Sequence, residues 1–354
     1  MSQTFFPNQT PQAPQSPKSQ PSLKRILILG AIGAFGLWSV ADWWGKRSFD
    51  AGMKAYQAGD CTNAVQEFDR YLNDHPNNSD NNDTSARAEA NRTECKAFQS
   101  AIDPRGMPEQ VANRSLGLAV QFAQTYPSSA LLPALKTQII PQLQPHTPKV
   151  WAGAKSCNNL PLIQQQALIP NVTTNLPLFH QSCADQFRDQ KKYPLAIALY
   201  EKFLDQYDKH PNRDAVKTAY AQAMVDQAIA SGSGNISPPS ATGSTADGST
   251  VVSIRNDSPE KMRIVFSGPT PRVEELPACT NCKKFTPETK PDQCPEKGSE
   301  GSYTLNPGQY SVLVKSIGQN TVTPFTGSWS VESGTTYAHC FYIVQSNRSS
   351  MPLK

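Results

Sequence analysis

The sequence has little charge and only a small excess of one sign, with 33 basic and 29 acidic side chains. Charged residues make up 18% of its 354 positions and hydrophobic residues 38%, below the roughly 25% and roughly 45–50% of typical soluble domains. Residues 46–247 carry nineteen basic and nineteen acidic side chains, and residues 248–354 carry eleven and nine. No predicted folded region is strongly basic, which excludes a nucleic-acid-binding domain that acts by neutralising phosphates.

Familiar catalytic patterns are also missing. The sequence contains no His-Glu-x-x-His, no Gly-x-Ser-x-Gly and no phosphate-binding glycine loop. Its five histidines are scattered along the chain. We therefore predict no catalytic residue and no cofactor, and we expect a protein that is not an enzyme.

Proline, by contrast, is abundant, with 30 residues in the chain. Five prolines and five glutamines fall within residues 1–22, where almost no side chain is apolar. Such a segment buries too little surface to offset the entropy of ordering, so we predict a disordered tail. A short tail at 347–354 is expected at the other end.

Residues 26–41 form an apolar run of sixteen uncharged residues, flanked by basic residues on both sides and followed by Trp43 and Trp44. A helix over 26–44 is about 28 Å long at ~1.5 Å per residue, close to a hydrocarbon core of ~30 Å. Tryptophan and basic side chains are typical of the membrane interface. We predict a transmembrane helix within 23–45. A cleaved signal peptide is the alternative, because Ser39-Val40-Ala41 resembles a cleavage site.

The cysteines indicate the compartment. There are eight, all after the apolar run, and an even number spread over the folded regions is typical of oxidising surroundings. We expect a single-pass membrane protein whose N-terminus is cytoplasmic and whose bulk lies in a periplasmic-type compartment of the cell envelope.

Residues 46–230 read as helices with a repeated pattern. Residues 48–76 predict two helices separated by a break at 58–60, with apolar residues of the second helix at helical spacing. Two sets of positions share the order small residue, alanine and aromatic residue: Gly52, Ala64, Phe68 with Pro76, and Ala184, Ala196, Tyr200. This order resembles the tetratricopeptide repeat, a pair of packed helices. The resemblance covers about 48–76 and 180–211, whereas 145–178 fits no repeat.

The predicted positions of the helices indicate which cysteines pair. Cys61 begins the second helix of the first hairpin and Cys95 lies late in the next helix, so these ends should meet. Cys157 and Cys183 would then attach the irregular segment to the second hairpin. Free buried thiols are the alternative.

A β domain is predicted after a flexible linker. Residues 231–250 are rich in Gly, Ser and Thr, which is typical of a flexible linker. Beyond them the hydrophobic period becomes two, and strands are expected at 251–254, 262–266, 310–314, 328–331 and 337–344. We predict a small β-sandwich over 251–346.

Four cysteines lie in this β domain: Cys279, Cys282, Cys294 and Cys340. We expect two structural disulfides, and our preferred pairing is Cys282–Cys294 with Cys279–Cys340. A zinc site made by all four thiols is one alternative. A thiol–disulfide enzyme using Cys279 and Cys282 is another, although no helix start follows the pair.

Together these patterns favour a membrane-anchored scaffold outside the cytoplasm, holding envelope proteins on its repeats. A binder of cell-wall glycans is the alternative function, acting through aromatic residues of the β domain if they are exposed: Trp329, Tyr303 and Tyr310. Alternatively, these three side chains pack in the core of the β domain.

Overall fold

The computed structural model describes residues 34–75, 82–103, 108–318 and 322–345. Within these ranges a helical region precedes a β region of two sheets, which confirms this part of the predicted architecture. The helices are α1 (Ala34–Gln57), α2 (Cys61–Asp74), α3 (Asn82–Ile102), α4 (Pro108–Thr125), α5 (Leu132–Leu143), α6 (Pro148–Trp151), α7 (Ala154–Cys157), α8 (Leu160–Gln166), α9 (Val172–Asp189), α10 (Tyr193–Gln206) and α11 (Arg213–Ala230). The strands are β1 (Gly234–Asn235), β2 (Ser240–Ser244), β3 (Thr250–Asn256), β4 (Met262–Ser267), β5 (Arg272–Leu276), β6 (Ser299–Leu305), β7 (Gly308–Ser316), β8 (Phe325–Val331) and β9 (Thr335–Phe341).

The predicted membrane segment falls only partly within these ranges. Residues 26–33, together with the predicted tails at 1–22 and 347–354, lie outside the described residues. In the part of the chain that is described, no helix is long and apolar enough to cross a membrane. Helix α1 continues without a break from Ala34 to Gln57.

Helix α2 shows why the first hairpin forms. The Asp60 carboxylate caps the helix by accepting the Asn63 N–H at 3.1 Å. Buried residues recur every three or four positions on one face, which packs against its neighbours: Cys61, Ala64, Phe68 and Tyr71. A side chain at Gly52 of α1 would come within 2.7 Å of the Phe68 ring, so the two helices approach closely only because this residue is glycine.

Between the two predicted hairpins, α4 is packed against five other helices, α3 and α5 to α8. Residues 145–178, which fit no repeat, form the short helices α6, α7 and α8 and the start of α9. Trp151 anchors this segment, because it is 2% exposed and its indole N–H donates to the Leu143 carbonyl at 3.0 Å.

The β region is a two-layer structure. One sheet has the order β1-β8-β7-β4-β5 and the other β2-β9-β3-β6, with β3 parallel to β9. The apolar faces of the two sheets form one core around Phe266, Val252 and Trp329. All five predicted strands are present, and alternation of buried residues along β3 agrees with the period of two. Strands β5 and β6 were not predicted.

The segment 231–250 differs from the prediction of a flexible linker. Strand β1 pairs with β8 and β2 pairs with β9, so this segment adds an edge strand to each sheet. Ile236 is 6% exposed, and its N–H donates to the Thr326 carbonyl at 2.9 Å. Backbone pairing outweighs the weak strand propensity of the small polar side chains.

Helix α11 joins the helical and β regions. It packs on β4 and β7, and Val265 and Leu313 of these strands belong to the buried core of the helices. A hydrogen bond of 2.8 Å from the Ser267 hydroxyl to the Gln222 side-chain carbonyl crosses the same contact. The β region is therefore docked on the helices, rather than free on a tether.

Candidate functional site

The two predicted hairpins have the same local geometry at an offset of 132 residues. Helices α2 and α10 both have 14 residues, and α1 and α9 end 132 residues apart, at Gln57 and Asp189. Equivalent backbone hydrogen bonds close both turns: Gly59 N–H to Tyr56 O, Asp60 N–H to Ala55 O, Lys191 N–H to Arg188 O and Lys192 N–H to Phe187 O. Gly59 and Lys191, each two positions after the end of its first helix, also have similar backbone conformations, with φ of +75° and +59°.

The repeat-signature residues occupy equivalent places in the two hairpins. Ala64, Ala184 and Ala196 are fully buried, as are Phe68 and Tyr200. Pro76 lies outside the described residues. A polar contact distinguishes the second hairpin, in which the Tyr200 hydroxyl donates to the Asp185 carboxylate. Burial and this carboxylate raise the pKa of Tyr200 far above its usual value.

Helices α1 and α3 lie side by side and run in the same direction. Three contacts with a constant separation of 38 residues show this. The Arg87 guanidinium lies 5.5 Å from the centre of the Phe49 ring, the Asn91 amide donates to the Met53 sulfur at 3.0 Å, and Tyr56 contacts Glu94. First helices of successive hairpins are arranged in this way in stacked helical repeats.

The contact line defines an exposed face. On α1, the residues that directly follow Phe49, Met53 and Tyr56 lie on one side of the helix pair. On α3, the residues that directly precede Arg87, Asn91 and Glu94 lie on the same side, because the two helices are parallel. All six such side chains are exposed: Asp50, Lys54, Gln57, Ala86, Ala90 and Thr93. We call this set the α1/α3 face. Its residues are small, polar or of mixed charge.

A part-buried group of polar side chains lies at the end of this face. Ser129 donates to the Glu94 carboxylate, which also interacts with Tyr56. Burial, followed by the charge of Glu94, raises the pKa of Tyr56 to about 12. The Tyr56 hydroxyl therefore stays protonated at neutral pH and positions Glu94 between α1 and the segment before α5.

The second hairpin offers less free surface than the first. Helix α9 also contacts α6, and α11 lies between α10 and the first sheet. Four residues in the middle of α11 are consequently buried within five positions: Ala221, Ala223, Met224 and Val225. The α1/α3 face is thus more accessible than the second hairpin.

The cysteines form four disulfides. Cys61–Cys95 and Cys157–Cys183 have Cα atoms 5.0 and 5.3 Å apart, and both pairings agree with the prediction. In the β domain the preferred pairing was wrong. Two disulfides occur there, Cys279–Cys282 and Cys294–Cys340, with Cα separations of 5.3 and 6.0 Å.

The Cys279–Cys282 disulfide has a local cause. Thr280 and Asn281 form a turn that brings the cysteines on either side of it together. All eight cysteine sulfurs are paired in disulfides, so the four cysteines of the β domain do not form the alternative zinc site. Among the described residues, no group of three or more His, Cys, Asp and Glu side chains is arranged to hold a metal ion.

The four disulfides differ in how much they constrain the unfolded chain. In the chain-entropy model, Cys294–Cys340 and Cys61–Cys95 each close loops worth roughly 4 kcal/mol, whereas a loop of the length closed by Cys279–Cys282 is worth only about 2 kcal/mol. The short disulfide is therefore the least important of these three for holding the fold.

The aromatic residues proposed for sugar binding are in the core. Trp329 is 0% exposed, Tyr310 2% and Tyr303 6%. Their rings lie 5.6 to 6.4 Å from the ring of Phe266. The Trp329 indole N–H donates to the Ser237 carbonyl at 3.1 Å. None of the three presents a ring face to solvent, so the glycan-binding hypothesis loses the residues on which it depended.

Sequence reasoning missed the residues that hold the long connection between β5 and β6, at 277–298. Asp257, fully buried, accepts three successive backbone N–H groups, from Glu296 at 3.3 Å, Lys297 at 2.8 Å and Gly298 at 2.7 Å. Asn256 accepts from and donates to neighbouring turns. The sequence Asn-Asp-Ser at the end of a strand is typical of a turn, and this pattern could have indicated the role of Asn256 and Asp257.

In comparisons with known proteins, no family model matches this chain, and no curated protein is significantly similar to it.

Proposed function

We propose that this protein is a scaffold that binds a protein partner in the cell envelope through the α1/α3 face. The observation that supports this proposal most directly is the parallel packing of α1 and α3, which leaves six exposed side chains on one side. Stacked helical hairpins use such faces to hold extended peptides or partner helices. On this interpretation the hairpins are tetratricopeptide-like.

In the same proposal, residues 26–44 anchor the chain in the membrane, with the remainder outside the cytoplasm. Helix α1 runs from within this segment into the first hairpin, with no connecting loop. From Trp44 to Gln57 the helix rises about 20 Å at ~1.5 Å per residue. The α1/α3 face would therefore lie close to the bilayer, where it would meet membrane-associated partners.

The location is tested by fusing a reporter after Lys354 that is active only in the cytoplasm. The proposal predicts no reporter activity, and the same reporter fused to a cytoplasmic protein serves as the positive control. Strong activity would contradict both the topology and the oxidising compartment required by the disulfides.

The partner is tested in the full-length chain, because α11 shares its core with the β sheets and separated fragments would expose that core. A photoreactive amino acid replaces Lys54 or Ala90 on the α1/α3 face. The matched control positions are Gln66 and Arg70, which are exposed on α2. Irradiation of intact cells should give a discrete crosslinked protein from the first pair only. Equal crosslinking from both pairs, or none, would contradict the proposed binding face.

A further inference from the structure

The disulfide Cys279–Cys282 encloses only a turn of two exposed residues, Thr280 and Asn281. The Cys282 N–H donates to the Cys279 carbonyl at 3.3 Å, so the backbone itself holds the turn. A bond that closes so short a segment adds little that the turn does not already provide.

Both ends of this turn are anchored by contacts that do not involve sulfur. Before it, the Cys279 N–H donates to the Ser258 carbonyl at 2.9 Å. After it, Phe285 donates to the Ile343 carbonyl at 2.9 Å and accepts from the Gln345 N–H at 2.8 Å. Opening the disulfide would therefore leave the two sulfurs close together, ready to form the bond again.

The two cysteines differ in exposure to solvent. Cys279 is 5% exposed, whereas Cys282 is half-buried. Two lysines follow Cys282, and the ammonium group of the exposed Lys283 lies 5.7 Å from the centre of the Phe285 ring. The Lys284 ammonium pairs with the Glu260 carboxylate at 2.9 Å. Because Cys282 is the more exposed of the two cysteines, it is the one that an incoming group reaches.

We propose that Cys279–Cys282 is a reversible thiol–disulfide exchange site whose substrate is a protein dithiol. A substrate thiolate attacks Cys282 Sγ, which forms a mixed disulfide and breaks the Cys279–Cys282 bond. Cys279 Sγ leaves with the electron pair and takes a proton. The second substrate thiolate then attacks the substrate sulfur of the mixed disulfide and releases the Cys282 thiolate. The substrate is oxidised to a disulfide and the protein pair is reduced to a dithiol. This activity is independent of the proposed partner binding.

The first test uses the unmodified chain. The protein is equilibrated with mixtures of reduced and oxidised dithiothreitol, free thiols are alkylated, and mass spectrometry measures the reduced fraction of each cysteine. We expect Cys279 and Cys282 to become reduced at a ratio of reduced to oxidised dithiothreitol that is at least tenfold lower than the ratio needed for Cys294 and Cys340. The circular dichroism signal should not be lost. Reduction together with Cys294 and Cys340, or only on unfolding, would overturn the proposal.

The second test identifies the attacked sulfur with a matched pair of variants, Cys279→Ser and Cys282→Ser. Each leaves one free thiol, and oxidised glutathione is the probe. We expect Cys282 in the first variant to form the mixed disulfide at least tenfold faster than Cys279 in the second. Equal rates, or faster reaction at Cys279, would refute the assigned roles, and the first test decides the redox proposal if either variant does not fold.

Discussion

His180 provides a test of the helical core that depends on pH. It is 0% exposed in α9, and neither ring nitrogen has a hydrogen-bond partner within the described structure. Burial, with a smaller contribution from the charge of Lys202, lowers the pKa of His180 from 6.5 to about 4. The Tyr207 ring, 5.6 Å away, is also packed against it. The folded protein thus keeps this imidazole neutral where the unfolded chain protonates it.

The sign and size of the effect follow from linkage. Between pH 6.5 and about 4 the unfolded state binds a proton that the folded state does not, so the free energy of unfolding falls as the pH falls. At about 1.4 kcal/mol per pKa unit the full difference is roughly 3 kcal/mol. Most carboxylates stay ionised above pH 5, and about 2 kcal/mol of the effect should already be lost between pH 7 and pH 5.

The assay is urea unfolding of the wild-type chain and of His180→Leu at pH 7 and pH 5. Leucine has a similar volume and no titratable group. The wild type should lose about 2 kcal/mol more stability than the variant over this interval. Because His339 and every other titratable group are common to both chains, their contributions cancel. Equal losses would show that His180 is not held neutral, and would refute the assignment of a buried, unpaired imidazole.

Three further substitutions test the architecture. Gly59→Ala should lower the free energy of unfolding by about 1–2 kcal/mol, because φ at this position is +75°. Lys191→Gly at the equivalent turn should not destabilise the chain by more than about 1 kcal/mol. Urea unfolding measures both changes. Asp257→Ala should cost about 2–3 kcal/mol by leaving three backbone N–H groups without their acceptor, with increased amide exchange at 296–298; normal protection there would contradict this. Leu313→Ala should cost about 2–5 kcal/mol if α11 and the first sheet share a core, and a cost below 1 kcal/mol would refute that shared core.

The sequence was informative where burial is periodic. Ala64 and Phe68 predicted α2, and the alternation of Tyr310, Val312 and Val314 predicted β7, because a buried face leaves a period of 3.6 or 2 in the sequence. Strand β2 left no such signal, since all five of its residues are exposed and small or polar. It forms because β9 offers an edge for backbone pairing.

The candidate site was less predictable than the fold. The spacing of apolar residues predicted the helices of both hairpins, but not which hairpin is covered, because α11 meets the sheet through Val265 and Leu313, far away in the sequence. The pairing of Cys279 with Cys282 depends on a two-residue turn, and the prediction instead used these cysteines to tie the loop to the sheet. The contacts of α11 with Val265 and Leu313 are long-range, and such contacts are not encoded in local periodicity.

The central claim is that the α1/α3 face binds a partner protein, and its most direct test is affinity purification of the full chain after crosslinking in intact cells. The double variant Lys54→Glu, Ala90→Arg changes the charge of the face at two exposed positions, and Gln66→Arg on α2 is the control. Quantitative mass spectrometry compares the recovery of the crosslinked protein. We predict at least a tenfold loss of the partner for the double variant and wild-type recovery for the control. Equal recovery from all three chains would contradict the account.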